Sequence, residues 1–128
     1  MQDPVAHFWK LRLEAAKEIL EKNNFEVHIA PDRETAVALV METLLPKIAP
    51  ASLSWGGSKT FVDSGLYERL KAIEDLTVWD TYDPTLTDGE KRERRRQALL
   101  VDLFITGTNA ISESGHLINL DMIGNRIA

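Results

Sequence analysis

Cysteine is absent from the 128-residue chain, which removes disulfides, thiolate nucleophiles, cysteine-ligated iron–sulfur clusters and cysteine zinc sites at once. A chain with no thiols suits a reducing compartment, so a cytoplasmic location is expected. No apolar run approaches the length that crosses a bilayer, and Met1-Gln2-Asp3-Pro4 has neither the basic nor the apolar region of a secretory signal. Positive charge is also short. Fifteen Lys+Arg against twenty Asp+Glu leave a formal charge of −5, which opposes the broad cationic surface that nucleic acid demands. The three histidines, His7, His28 and His116, lack helical or hairpin ligand spacing, so no metal is expected. No cofactor is expected in this chain, and what a complex would bring stays open.

What is present is ordinary globular material: 44% hydrophobic and 27% charged residues, in a length that suits one domain. Asp3 and Pro4 form an N-cap and first helical position. Behind them Val5, Phe8, Trp9, Leu13, Ala16, Ile19 and Leu20 recur with helical period as far as Asn23-Asn24. Residues 25–30 alternate apolar with polar, the pattern of a short edge strand. Asp32 is placed to cap a second helix with a stripe of Ala36, Leu39, Val40 and Leu44, stopped by Pro46. Residues 52–55 read as a strand running into Gly56-Gly57, with a helical pattern through Leu66, Tyr67, Leu70 and Ile73 beyond. Residues 76–80 read as the next strand, residues 88–99 as a charged helix, and residues 102–106 as another strand. Residues 116–121 would then return beside that last strand as a local β-turn-β unit.

Strands alternating with helices predict an α/β fold, three layers with a mostly parallel sheet covered on both faces. Such sheets bind ligands at the carboxyl ends of their strands, and two loops fall there. In the first, Gly56 and Gly57 let the backbone approach a ligand, and Ser58, Thr60 and exposed amides can hold anionic oxygens. It is not a Walker A loop, because Ser58 precedes Lys59. A strand-to-helix turn capped by Ser58 or Thr60 would explain the same residues. The second loop, residues 106–115, crowds Thr106, Gly107, Asn109 and Glu113 among small polar neighbours. Glu113 is a candidate nucleophile or general base, or else a solvated carboxylate in a Ser-Gly turn. Asn119, Asp121, Asn125 and Arg126 can clamp an anion or network with that loop. On the basic helix, Arg92, Arg95 or Arg96 could face a ligand crevice, although such charges are usually solvated. Phe8, Trp9, Trp55 and Trp79 suit core or interface packing better than a cofactor box.

The ordered combination of GGSxT at residues 56–60, TGTNAI at 106–111, GxLxNxD at 115–121 and GNRxA at 124–128 resembles the LUD domain of lactate-utilisation proteins. The match runs from the first helix to Ala128. The resemblance implies a NagB/RpiA/CoA transferase-like fold. It also implies a part in oxidising L-lactate to pyruvate beside iron–sulfur partner proteins, with a small anionic metabolite as ligand. In CoA transferases of that fold a glutamate in a Glu-x-Gly turn is the nucleophile, and Glu113-Ser114-Gly115 is similar, so acyl transfer is one alternative. A non-catalytic scaffold subunit of a redox complex is another. Family members usually continue past GNRxA, so residues 1–128 are expected to be a LUD domain incomplete at its C-terminal end. A sheet cut short in this way would favour a homodimer.

Overall fold

The first helix forms where its cap and period place it. In the computed structural model, which describes residues 3–126, α1 spans Pro4–Lys22. The Asp3 carboxylate accepts the Val5 amide at 2.9 Å, and proline fills the first turn. Only Leu20 of its apolar stripe is buried. Phe8 and Trp9 stand more than half exposed, edge to face with each other. Of the four aromatic residues expected to pack, Trp55 is the one in the core.

Residues 25–30 depart from expectation: they form no strand. Alternation prepares one face for burial, but a strand also needs a neighbour offering free amides and carbonyls. Among the described residues they engage local and side-chain partners. The Phe25 amide donates to Leu20 O at 3.0 Å, and both Glu26 carboxylate oxygens accept from Lys47 Nζ at 2.8 Å.

Asp32 caps α2 (Arg33–Leu39), accepting the Thr35 amide at 2.7 Å. Pro46 does not stop the helix as expected. A π turn over Val40–Leu44 is followed by α3 (Leu45–Ile48), and Pro46 sits in the first turn of that segment. The wider turn, in which the Leu45 amide donates back to Val40 O, admits a ring that would clash with an ordinary helical carbonyl. The chain leaves the helix at Ala49 in the left-handed region (φ +47°).

Three parallel strands follow: β1 (Ser52–Trp55), β2 (Thr77–Trp79) and β3 (Leu103–Ile105), in the order β2-β1-β3. Leu53 lies opposite Val78 and Leu103, and Ser54 opposite Trp79 and Phe104. Because strand side chains alternate, Leu53, Trp55, Val78, Leu103 and Ile105 share one face. That face meets Val37 of α2, Phe61 of α4 (Lys59–Asp63), and Leu66 and Leu70 of α5 (Leu66–Lys71) in a single core. The chain turns from α4 to α5 at Gly65, whose φ of +81° needs glycine. Ser54 points to the opposite face with Trp79. There α6 (Asp88–Ala98) lies against β1 and β2 and sets the Arg94 guanidinium over the Trp79 ring. Helices therefore cover both faces of a parallel sheet, an α/β fold.

Two side-chain devices fix the edges of this layer. Thr87 and Glu90 form a reciprocal capping box at the start of α6. Asp102, just before β3, accepts the amides of Ala51 and Ser52 and the Ser52 hydroxyl. The Ser52 side chain first and its amide second hold the Asp102 carboxyl below its ordinary pKa.

The terminal hairpin is correctly local but differently paired. Residues 116–121 do not return beside β3. β5 (Leu117–Ile118) pairs antiparallel with β4 (Ala110–Ile111), inside the segment expected to be loop, with Ala110 opposite Ile118. β3 is paired on one side by β1 and lies at the sheet edge, while the hairpin forms its own two-stranded sheet. It packs on α1, and the side chain of Asn23, which caps that helix, donates to the carbonyls of Ser114 and Gly115.

Candidate functional site

The carboxyl ends of β1 and β3 open into one cleft of about 600 Å³. Gly57, Ser58, Lys59 and Thr60 line it from the loop after β1. Thr106, Gly107, Thr108 and Asn109 line it from the loop after β3, and Arg126 enters from the tail. The two polar connections therefore do share a cavity. Arg33, which sequence reasoning passed over, joins them from the first turn of α2. Its only sequence signal was its place directly after the capping Asp32.

The tail is clasped onto the first loop. A Cβ at Gly56 would overlap the carbonyl oxygen of Asn125 and come within 2.8 Å of Thr106 Oγ1, and one at Gly57 would lie 2.6 Å from the Asn125 carboxamide. These glycines thus permit a close approach, but the approaching group is the protein's own backbone. The loop amides expected to cradle an anion are already engaged. Gly56 N–H donates to Ile105 O at 2.8 Å, Gly57 N–H to Asn125 O at 3.0 Å, and Ser58 N–H to the Tyr82 hydroxyl at 3.3 Å. Tyr82 in turn donates to Gly56 O. Ser58 Oγ caps α4 by accepting the Phe61 amide. Gly107 fits for a related reason: a Cβ there would meet Ser58 Oγ at 3.0 Å.

Asp121 organises the tail rather than facing the cleft. Its carboxylate accepts the backbone amides of Ile123, Gly124, Asn125 and Arg126 at 2.8–3.2 Å. Burial acts to raise its pKa, but the four amides outweigh burial and hold it below the ordinary aspartate value. Asn109 completes the clasp: its Oδ1 accepts from Arg126 Nη1 at 2.7 Å and from the Leu120 amide at 2.9 Å. Asn119 is exposed and does not line the cleft.

A family model described as the LUD domain matches residues 13–128. The chain belongs to the LUD domain family. No curated protein and no solved structure shows a significant match. In this LUD domain the matched region holds every element of the cleft, from Arg33 to Arg126.

Glu113 stands elsewhere. It lies on the hairpin, 84% exposed at the side chain, with an oxygen 3.3 Å from Arg12 of α1. It lines a second, more apolar cleft of about 450 Å³ with Trp9, Leu13, Ala16 and Ile19. The LUD domain therefore does not bring Glu113 together with the glycine loop or Arg126. Arg92, Arg95 and Arg96 line neither cleft. Their neighbour Arg94 instead donates to Asp80 O at 3.3 Å behind β2. Among the described residues there is no cluster of three or more metal-ligating side chains, and no helix is long and apolar enough to cross a membrane.

Electrostatically the main cleft stands apart from the rest of the LUD domain. Arg33, Lys59 and Arg126 line it and, among the described residues, no carboxylate does, in a chain of formal charge −5. Lys59 is ion-paired with Asp63 at the rim. Among the described residues, neither Arg33 nor Arg126 has a carboxylate within ion-pair distance of its guanidinium.

Proposed function

We propose that this LUD domain takes part in lactate utilisation by holding a small anionic metabolite in the cleft between the Gly56 loop and the Thr106 loop. One observation carries the reading: cations from three separate elements line a cavity to which no described residue brings a carboxylate, on a protein that is acidic overall. Two arginines without acidic partners inside a concave, partly apolar site raise the local potential for anions. Arg126 is the principal anchor, since Asn109 takes one of its guanidinium nitrogens and orients the remaining donors for a bidentate carboxylate or phosphate contact. The hydroxyls of Ser58, Thr60, Thr106 and Thr108 supply orientation around it. With no cysteine to ligate a cluster, the chain would leave electron transfer in lactate oxidation to iron–sulfur partner proteins.

Acyl transfer through Glu113 has less support, because that carboxylate is paired with Arg12 outside this cleft. A thermal-shift titration with lactate, pyruvate, sugar phosphates and CoA esters tests the reading. A true ligand at about 100 times its Kd stabilises the fold by about 2.7 kcal/mol. That gain should disappear in Arg126→Ala and persist in Glu113→Gln. If no anion moves the transition, or Arg126→Ala responds like the parent, the reading fails.

A further inference from the structure

The walls of the cleft say more about its occupant than its charges do. Behind the cationic rim, Ala36, Val37 and Val40 project from α2 and the start of the π turn, Phe61 and Leu66 from α4 and α5, and Ile105 from the end of β3. Val37, Phe61 and Leu66 are core residues, each 5–7% exposed, so the cleft floor is the outer skin of the hydrophobic core. At about 600 Å³ the cavity falls in the range of about 300–1,000 Å³ typical of drug-sized ligands. A three-carbon hydroxy acid would satisfy the arginines and leave most of the apolar wall against water.

We infer that the cleft is built for an amphipathic anion, a carboxylate or phosphate carried on an apolar body of several carbons. The anionic head meets Arg126 and Arg33, and the body lies over Val40, Phe61 and Ile105. This rests on the anion-binding reading above and narrows the class of ligand. The chemistry is complementary at both ends. The head replaces water around two guanidinium groups that have no carboxylate partner among the described residues, and the body removes water from side chains that have no polar atom to offer it.

Calorimetric titration of the intact chain with straight-chain carboxylates from acetate to octanoate, and with inorganic phosphate against hexyl phosphate, separates the two layers of argument. The expected result is a Kd that falls about two- to fourfold per added methylene until the wall is covered. The upper figure is that of a fully buried CH₂, about 0.8 kcal/mol. Arg126→Ala should weaken every member of the series. Val40→Thr, which is nearly isosteric but brings a hydroxyl to the wall, should flatten the dependence on chain length and leave acetate unchanged. Ala36→Ser reads out the same wall if the π turn does not tolerate threonine. Equal Kd values for acetate and octanoate would overturn the inference and leave the anion site standing. Chain-length dependence that ignores Arg126→Ala would place the ligands on the exposed apolar side of α1 and overturn it too. Failure of every carboxylate and phosphate to bind would instead overturn the underlying reading, and the inference with it.

Discussion

Replacing Gly56 by alanine tests whether the tail is held by the glycine loop. The new methyl group would overlap the carbonyl of Asn125, which is backbone and cannot swing aside as a side chain can. Either β1 moves or the tail leaves. β1 carries Leu53, Ser54 and Trp55, all essentially without solvent exposure, and displacing it would strain the close-packed core by about 1–3 kcal/mol or more. The tail is the cheaper concession, since Met122 is 95% exposed. Its departure forfeits the bond from Gly57 N–H to Asn125 O, about 1 kcal/mol net, and the charged contact from Arg126 to Asn109, about 1.5–3 kcal/mol. The Asp121 carboxylate still ties the amides of residues 123–126 together, so the conformational entropy returned is that of about one residue, about 1–2 kcal/mol. The expected loss of stability is therefore only about 1–2 kcal/mol. Anion binding should suffer more, because removing Arg126 forfeits a charge-assisted contact and costs about 10- to 100-fold in Kd. Urea unfolding and calorimetry on the same preparation read the two quantities. Gly89→Ala is the matched control. It lies in α6, its added Cβ meets nothing within 4 Å, and it should gain up to about 1 kcal/mol with no change in binding. Parental stability together with parental anion affinity in Gly56→Ala would show that the glycine loop does not hold the tail.

Two further outcomes follow from the same framework. The folded-state pKa of Asp121 lies below its ordinary value, so its contribution is complete above the unfolded aspartate pKa of about 3.9 and is lost as pH falls through the lower folded value. Unfolding midpoints measured from pH 6 downward should fall more steeply for the parent than for Asp121→Asn, and parallel profiles would contradict this. At the start of α6, Thr87→Ala removes the hydroxyl that accepts the Glu90 amide and donates to its carboxylate, leaving only the residue-87 backbone amide to Glu90. It should cost about 0.5–2 kcal/mol in urea unfolding while leaving anion affinity unaltered, and a change in Kd would show that α6 communicates with the cleft.

Asp3, Asp32 and Pro4 could be interpreted from sequence because a cap acts on amides two or three residues away. The apolar run at residues 52–55 was equally readable, ending as it does in two glycines. Pairing partners were not, because a ladder is a property of two segments. Residues 25–30 carry an alternating pattern with no neighbour to use it, while Ala110 and Ile111, too few to show any period, pair because the Ser112–His116 turn closes locally through its own backbone and hydroxyl bonds. Pro46 misled for a different reason. Its clash with a preceding carbonyl is real, but one widened turn absorbs it more cheaply than ending the helix.

The glycine pair shows most clearly where a one-dimensional reading stops. The sequence offers Gly56 and Gly57 as positions where the backbone could approach a ligand, yet it cannot say what approaches. The answer, Asn125, lies nearly seventy residues away by count along the chain. With the loop amides taken by Ile105, the tail and Tyr82, the anion recognition we propose rests on side chains. In the proposed reading Arg126 and the unforeseen Arg33 are then the decisive groups, while Asp121 accepts the Arg126 amide and Asn125 accepts that of Gly57. Glu113, which looks reactive beside Ser114 and Gly115, is set apart. The β4–β5 hairpin folds onto α1 through Asn23 and Arg12, carrying its carboxylate away from the rim where the three parallel strands end.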